Sequence, residues 1–221
     1  IMEAIECIKT RMSIRKFRHR PVPKNILTEI INTAQWSPSY KNSQPWEVVI
    51  VSGKKKEELS ALLVRLLEEG KSPQPDIPEA VSWPSDIAKR INETMKERGA
   101  LLGIDLNSPD IKKKSKAANF RFYGAPHGIF LFQDSSLNEW SIFDAGLFAQ
   151  SLMLAARSHG IGTVPQAFLT DYSSEIKQFL GIHESKRLVL GISIGYPDME
   201  NPINTYRTTR VETEKILRWV E

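Results

Sequence analysis

One cysteine, Cys7, stands in 221 residues. No intramolecular disulfide can form, and a reducing compartment suits such a chain. No apolar run approaches the roughly 18 uninterrupted residues of a membrane-spanning helix. The richest stretch, Ile142 to Ala156, is interrupted by Asp144 and Gln150. Ile1 to Lys9 mixes Glu3, Glu6 and Lys9 with apolar residues, and it lacks the apolar core and cleavage site of a signal peptide. The expectation is a soluble, cytoplasmic protein with no membrane contact. The four histidines, His19, His127, His159 and His183, form no i, i+4 pair and have no cysteine partner, so no metal site is expected. No G-x-S-x-G elbow supports a serine hydrolase. Gly160-Ile-Gly162 is not followed by the helix start that a Rossmann fingerprint needs. Neither sign of charge dominates: the net charge is +4, which suits an anionic small molecule at least as well as nucleic acid.

What is present is an ordinary globular mix, 41% apolar and 25% charged, enough for a real core. Apolar spacing predicts helices over 1–9, 26–34, 54–69 and 142–159. Short apolar runs predict strands at Trp46–Val51, His127–Gln133 and Arg187–Tyr196, the first of them buried. Thr163–Leu169 reads as strand or loop. Asp171 is expected to cap a short helix that Gly181 stops. Gly70 to Pro84 is too rich in proline and glycine for a helix or a central strand. Short polar helices follow at 86–98 and 110–119. Residues 70–118 therefore read as a lid-like elaboration on one domain spanning 1–221. Strands mixed with helices imply an α/β or α+β layered domain.

Two segments carry chemistry. In Arg11-Met-Ser13-Ile-Arg15, an extended chain puts both arginines and the serine on one face. Two guanidinium forks around a hydroxyl would clasp a phosphate; a solvated basic loop or a nucleic-acid arm is the other reading. Ser37-Pro38-Ser39-Tyr-Lys-Asn42-Ser-Gln44-Pro45-Trp46 leads into the first strand. Its amides and hydroxyls would suit a heterocycle; an ordinary connecting loop is the alternative. Phe120, Phe122 and Trp140 would line an aromatic substrate pocket or belong to the core or an interface.

These two segments, in this order, resemble the FMN-dependent nitroreductase family. The matches continue through Asn119-Phe-Arg-Phe-Tyr-Gly-Ala-Pro126, Asp144-Ala-Gly146-Leu-Phe-Ala-Gln150, Gly160-Ile-Gly162-Thr-Val-Pro165-Gln166, Gly195-Tyr-Pro197 and Arg207-Thr-Thr-Arg210. The likeness runs from Arg11 to Arg210, and the asparagine-headed run with the long insert looks most like the nitrobenzoate and nitrobenzene reductase branch. It implies an α+β three-layer sandwich, a mixed and mainly antiparallel sheet between helices, and an intimate homodimer with FMN at the interface.

Residue by residue, the resemblance gives Arg11, Ser13 and Arg15 to the ribityl phosphate and the pyrimidine edge, with Arg210 and Arg207 closing the phosphate site. Pro38 and Ser39, with Asn42 and Gln44, would reach the other subunit's flavin. Asn119 would touch the isoalloxazine, and Pro165, Gln166 and Ala167 would pack on its far face with a backbone N–H toward N5. Electrons would pass from NAD(P)H to a nitroaromatic or quinone by ping-pong chemistry that the cofactor carries. Arg15, or secondarily Arg121, would stabilise negative charge near N1. The 70–118 segment, with Phe120 and Phe122, would form the mouth of the acceptor site, away from the phosphate clasp. A reductive dehalogenase or dehydrogenase of the same superfamily is the neighbouring alternative, and a nucleic-acid binder the distant one.

Overall fold

The computed structural model describes residues 3–221. Ile1, the first apolar position of the expected N-terminal helix, lies outside them. The elements run α1 (Ala4–Thr10), α2 (Lys24–Ala34), β1 (Glu47–Ser52), α3 (Gly53–Glu68), α4 (Ser85–Leu102), α5 (Pro109–Phe120), β2 (His127–Asp134), α6 (Glu139–Ser158), β3 (Gly162–Gln166), α7 (Ser173–Leu180) and β4 (Lys186–Gly195).

The strands form one sheet in the order β1-β2-β4-β3. Every pairing between them is antiparallel. The parallel component of the expected mixed sheet is a single bridge, Ser13 to Thr163, outside the named strands. β1 is a sheet edge, and most of its residues are half-buried rather than buried as expected. It has β2 on one side only, in register from Glu47 opposite Phe132 to Ser52 opposite His127.

Alternation along β2 builds the three layers. Phe130 and Phe132 join a core with Leu59 and Leu63 of α3, Phe120 of α5 and Ile176 of α7. Ile129 and Leu131 point the other way, into a core with Leu27 and Ile30 of α2 and Phe148 and Leu152 of α6. The α+β sandwich is thus explained by period-2 strands between helices that are apolar on one face. Helix α6 exceeds that pattern: it buries Phe148 and Leu152 inward yet leaves Trp140 59% and Phe143 60% exposed.

Corrections concern the helix ends. Asp171 does not cap α7; Tyr172 holds the N-cap position and makes no side-chain cap bond. The buried Asp171 carboxylate instead lies 2.6 Å from Nζ of half-buried Lys116, and that ion pair outcompetes the cap. Helix α4 runs beyond the expected Arg98 to Leu102, ended by Gly103 in the left-handed conformation at φ 66°. The irregular stretch before it is pinned to the body. Gln74 N–H donates to Asp171 O at 2.7 Å, and Asp76 Oδ2 accepts from Leu188 N–H at 2.7 Å.

Candidate functional site

The Arg11–Arg15 segment lies extended beside β3, with Ile14 N–H donating to Thr163 O at 3.0 Å. Ile14 and Phe17 are buried, which turns Arg11, Ser13 and Arg15 toward a groove. Asn204 fixes the segment from the C-terminal side. Its Oδ1 accepts from Arg15 N–H at 2.7 Å, and its Nδ2 donates to Lys16 O at 2.8 Å. The basic tail is tied down similarly: Arg207 Nη1 donates to Thr10 O at 2.8 Å, at the C-terminus of α1.

Arg11, Ser13, Arg15, Arg207 and Arg210 line one cavity of about 340 Å³. No carboxylate lines it. Arg11 Nη1 is buried with no hydrogen-bond partner. Burial first, and then the charges of Arg210 and Arg207, pull the Arg11 guanidinium below its ordinary value. A polyanion would supply both the missing acceptor and the missing charge.

A second cavity, about 610 Å³, opens beside the first and is more apolar, with Leu67, Met95, Leu106 and Val164 in its walls. Arg15, Asn119, Pro165, Gln166 and Ala167 line it. Behind its floor runs a buried amide network. Gln166 Nε2 donates to Asn119 Oδ1 at 3.0 Å and to Asn119 O at 3.1 Å, and Asn119 Nδ2 donates to Ser115 O at 2.9 Å. Ser193 Oγ donates to Gln166 Oε1. Both amides thus spend these groups on each other, on backbone and on the Ser193 hydroxyl, so they hold the cavity's shape. Arg15 and Arg98 line both cavities, which makes them the junction of one groove with a cationic end and an apolar end.

The other expected residues lie elsewhere. Pro38, Ser39, Asn42 and Gln44 line neither cavity. Their loop is held against α6 by Tyr40 N–H, which donates to Asp144 Oδ2 at 3.1 Å. Lys41, Asn42 and Gln44 all have φ near +50°, at 53°, 56° and 47°, a conformation that strains side-chain-bearing residues. Trp140 also lines neither cavity; it stacks on Tyr40 with centroids 6.1 Å apart. Phe120 and Phe122 are fully buried core residues, not walls of a pocket. Residue 122 enters the core because Phe122 and Tyr123 adopt φ 53° and 52°, a turn that leaves Tyr123 to line the apolar cavity instead. Arg121 lines a separate cavity with Lys56 and His127, so it is not a charge of the groove.

Sequence reasoning missed Thr94, Arg98, Tyr123 and Asn204. The insert was expected to keep away from the clasp, yet Thr94 and Arg98 of α4 line it. Among the described residues no cluster of potential ligands could hold a metal, and no helix is long and apolar enough to cross a membrane.

The profile of the nitroreductase family matches residues 8–196. A 4-nitrobenzoate reductase of Pseudomonas putida is 35% identical over 207 residues, covering 92% of this chain and 89% of that protein. A nitrobenzene nitroreductase of Ectopseudomonas oleovorans is 29% identical, covering 97% and 96%. The crystal structure of the FMN-dependent nitroreductase NfnB from Mycobacterium smegmatis in complex with NADPH superposes with a TM-score of 0.93 at 32% identity, covering 99% of this chain and 98% of that one.

Proposed function

We propose the activity from one premise: the chain belongs to the nitroreductase family. It is an FMN-dependent oxidoreductase that passes electrons from NAD(P)H to nitroaromatic or quinone acceptors. The observation that carries this reading is the groove, whose acid-free cationic end meets a larger apolar end at Arg15 and Arg98. The fit to FMN rests on the orphaned Arg11 Nη1 and on guanidinium charges that no carboxylate in the cavity offsets. When bound, FMN would supply the redox chemistry that links the nicotinamide to the acceptor.

The chain's own residues bind and bias. Arg11, Ser13, Arg207 and Arg210 hold the phosphate with charge-assisted hydrogen bonds. Arg15, at the junction of the two cavities, would place positive charge beside the ring and favour its reduced, anionic form. Pro165, Gln166 and Ala167 would form the wall against the ring, with a backbone N–H of that segment as the donor toward it. The Asn119–Gln166–Ser193 network keeps that wall rigid. No side chain need act as nucleophile.

The assembly is a homodimer in which Pro38, Ser39, Asn42 and Gln44 of one subunit complete the other's site. The exposure of Pro38, Asn42 and Gln44 outside the groove supports this, as do the uncovered Trp36, Trp140 and Phe143 and the exposed tail residues Ile216, Leu217, Trp219 and Val220. Sedimentation at low concentration should show a dimer; a monomer with full FMN and activity would contradict it. The activity is tested by NAD(P)H oxidation against a panel of nitroaromatics, quinones and halogenated aromatics. Turnover with nitro compounds and quinones is expected. Turnover confined to dehalogenation would transfer the reading to another flavin chemistry.

A further inference from the structure

The insert's helix α4 holds weakly to the body. Of its 18 residues, Gly99 is the one that is buried. Its ion pairs Arg90–Asp86 and Lys89–Glu93 are internal to the helix. A tether to the body is polar: Tyr206 OH donates to Glu97 Oε2 at 2.8 Å. Next to that tether, Arg98 enters the groove at its junction, lining both cavities as Arg15 does. Its Nε is buried and has no hydrogen-bond partner, and among the described residues no carboxylate pairs with it.

Arg98 shares the basic cavity with Arg11, Arg15, Arg207 and Arg210, and the Arg15 charge acts on it directly, so like-charge repulsion works against the docking of α4. A phosphate-bearing ligand reverses the sign of that force. We infer that Arg98 is a cofactor-site residue carried by the insert, and that through it the docking of α4 is coupled to occupancy of the groove by FMN. This rests on the FMN reading above. Helix α4 also carries Met95, a wall residue of the apolar cavity. The apolar end of the groove is therefore complete only once the cofactor is in place, and a cofactor-free chain presents a loosened wall there.

The test combines hydrogen exchange over residues 85–102 with FMN binding measured by flavin fluorescence. Wild type, Arg98→Gln and Arg98→Lys are compared, FMN-depleted and FMN-saturated, with folding checked by circular dichroism. In wild type, amides of α4 should exchange at least roughly tenfold more slowly when FMN is bound. Arg98→Gln should weaken FMN binding roughly ten- to hundredfold and shrink the exchange difference to within about twofold at saturation. Arg98→Lys, which keeps the charge without the fork, should retain part of both effects. Unchanged FMN affinity in Arg98→Gln, or α4 protection in wild type that is the same with and without FMN, would overturn the inference. A wild-type chain that takes up no FMN would bring down the functional reading beneath it.

Discussion

Arg11 is the residue whose surroundings demand a ligand most plainly. It is half-buried, beside two other arginines, with one nitrogen facing no acceptor. Replacing Arg11 or Arg210 by Gln removes a charge-assisted bond worth about 1.5–3 kcal/mol, so FMN should bind roughly ten- to hundredfold more weakly. Fluorescence of released flavin measures this, and unchanged affinity in both variants would remove the clasp assignment.

His127 shows the opposite use of a titratable group. Its Nε2 accepts from Val22 N–H at 2.9 Å, so the proton sits on Nδ1 and is donated to Ser52 Oγ at 2.5 Å. The ring is therefore neutral and is not a base for Ser52. Burial first, with the Lys56 charge adding, holds it below its ordinary value of 6.5. The folded form resists a proton that the unfolded chain accepts. Stability is thus complete above about pH 6.5 and falls as pH drops through that value toward the lower folded-state one. Melting temperature should decline over that window in wild type and decline less in His127→Gln; parallel profiles would assign the slope to other groups.

The arginine pair around Ser13 was legible because strict alternation is a local signal. Arg98 was not, since it sits among exposed charges on a polar helix and only the docking of α4 turns it inward.

At the scale of elements, long periodic segments were readable and turns were not. Helices α2, α3 and α6 and strands β2 and β4 follow their apolar spacing to within a few residues. The turn at Phe122–Tyr123 puts two aromatic residues in the left-handed region ahead of Gly124, so the glycine marks a turn but no composition cue announces which aromatic goes inward. The structure shows why Phe122 is core. A Cβ added to Gly128 of β2 would lie 2.3 Å from the Phe122 ring, so the bare glycine backbone is what the ring packs on. Phe122→Ala should cost about 3–5 kcal/mol of stability and leave the preference among acceptors unchanged. Thermal melts beside steady-state kinetics decide this; a shifted preference without a stability loss would return Phe122 to the acceptor site. The insert is the second such case. Its prolines marked a break, but nothing local told that Gln74 and Asp76 strap it to the body or that α4 lines the basic end of the groove.

For the whole molecule, the three-layer fold brings together segments nearly the full chain apart. The Arg11–Arg15 strand, the turn after β3 and the Arg207–Arg210 tail meet at one groove because β3 pairs with β4 while the first segment bridges to β3. The loop of Pro38 and Ser39 was legible as a motif. Its place outside the groove depends on tertiary packing, which the chain's periodicity does not encode. The central claim is that this groove holds FMN and passes electrons through it in two separable halves. The most direct measurement is anaerobic mixing of the FMN-loaded protein, first with NAD(P)H alone and then with a nitroaromatic alone, followed by flavin absorbance. The expected result is bleaching of the flavin by NAD(P)H with no acceptor present, then full return of its absorbance on adding the nitro compound. A protein that binds no flavin, or whose bound flavin NAD(P)H leaves oxidised, would contradict it.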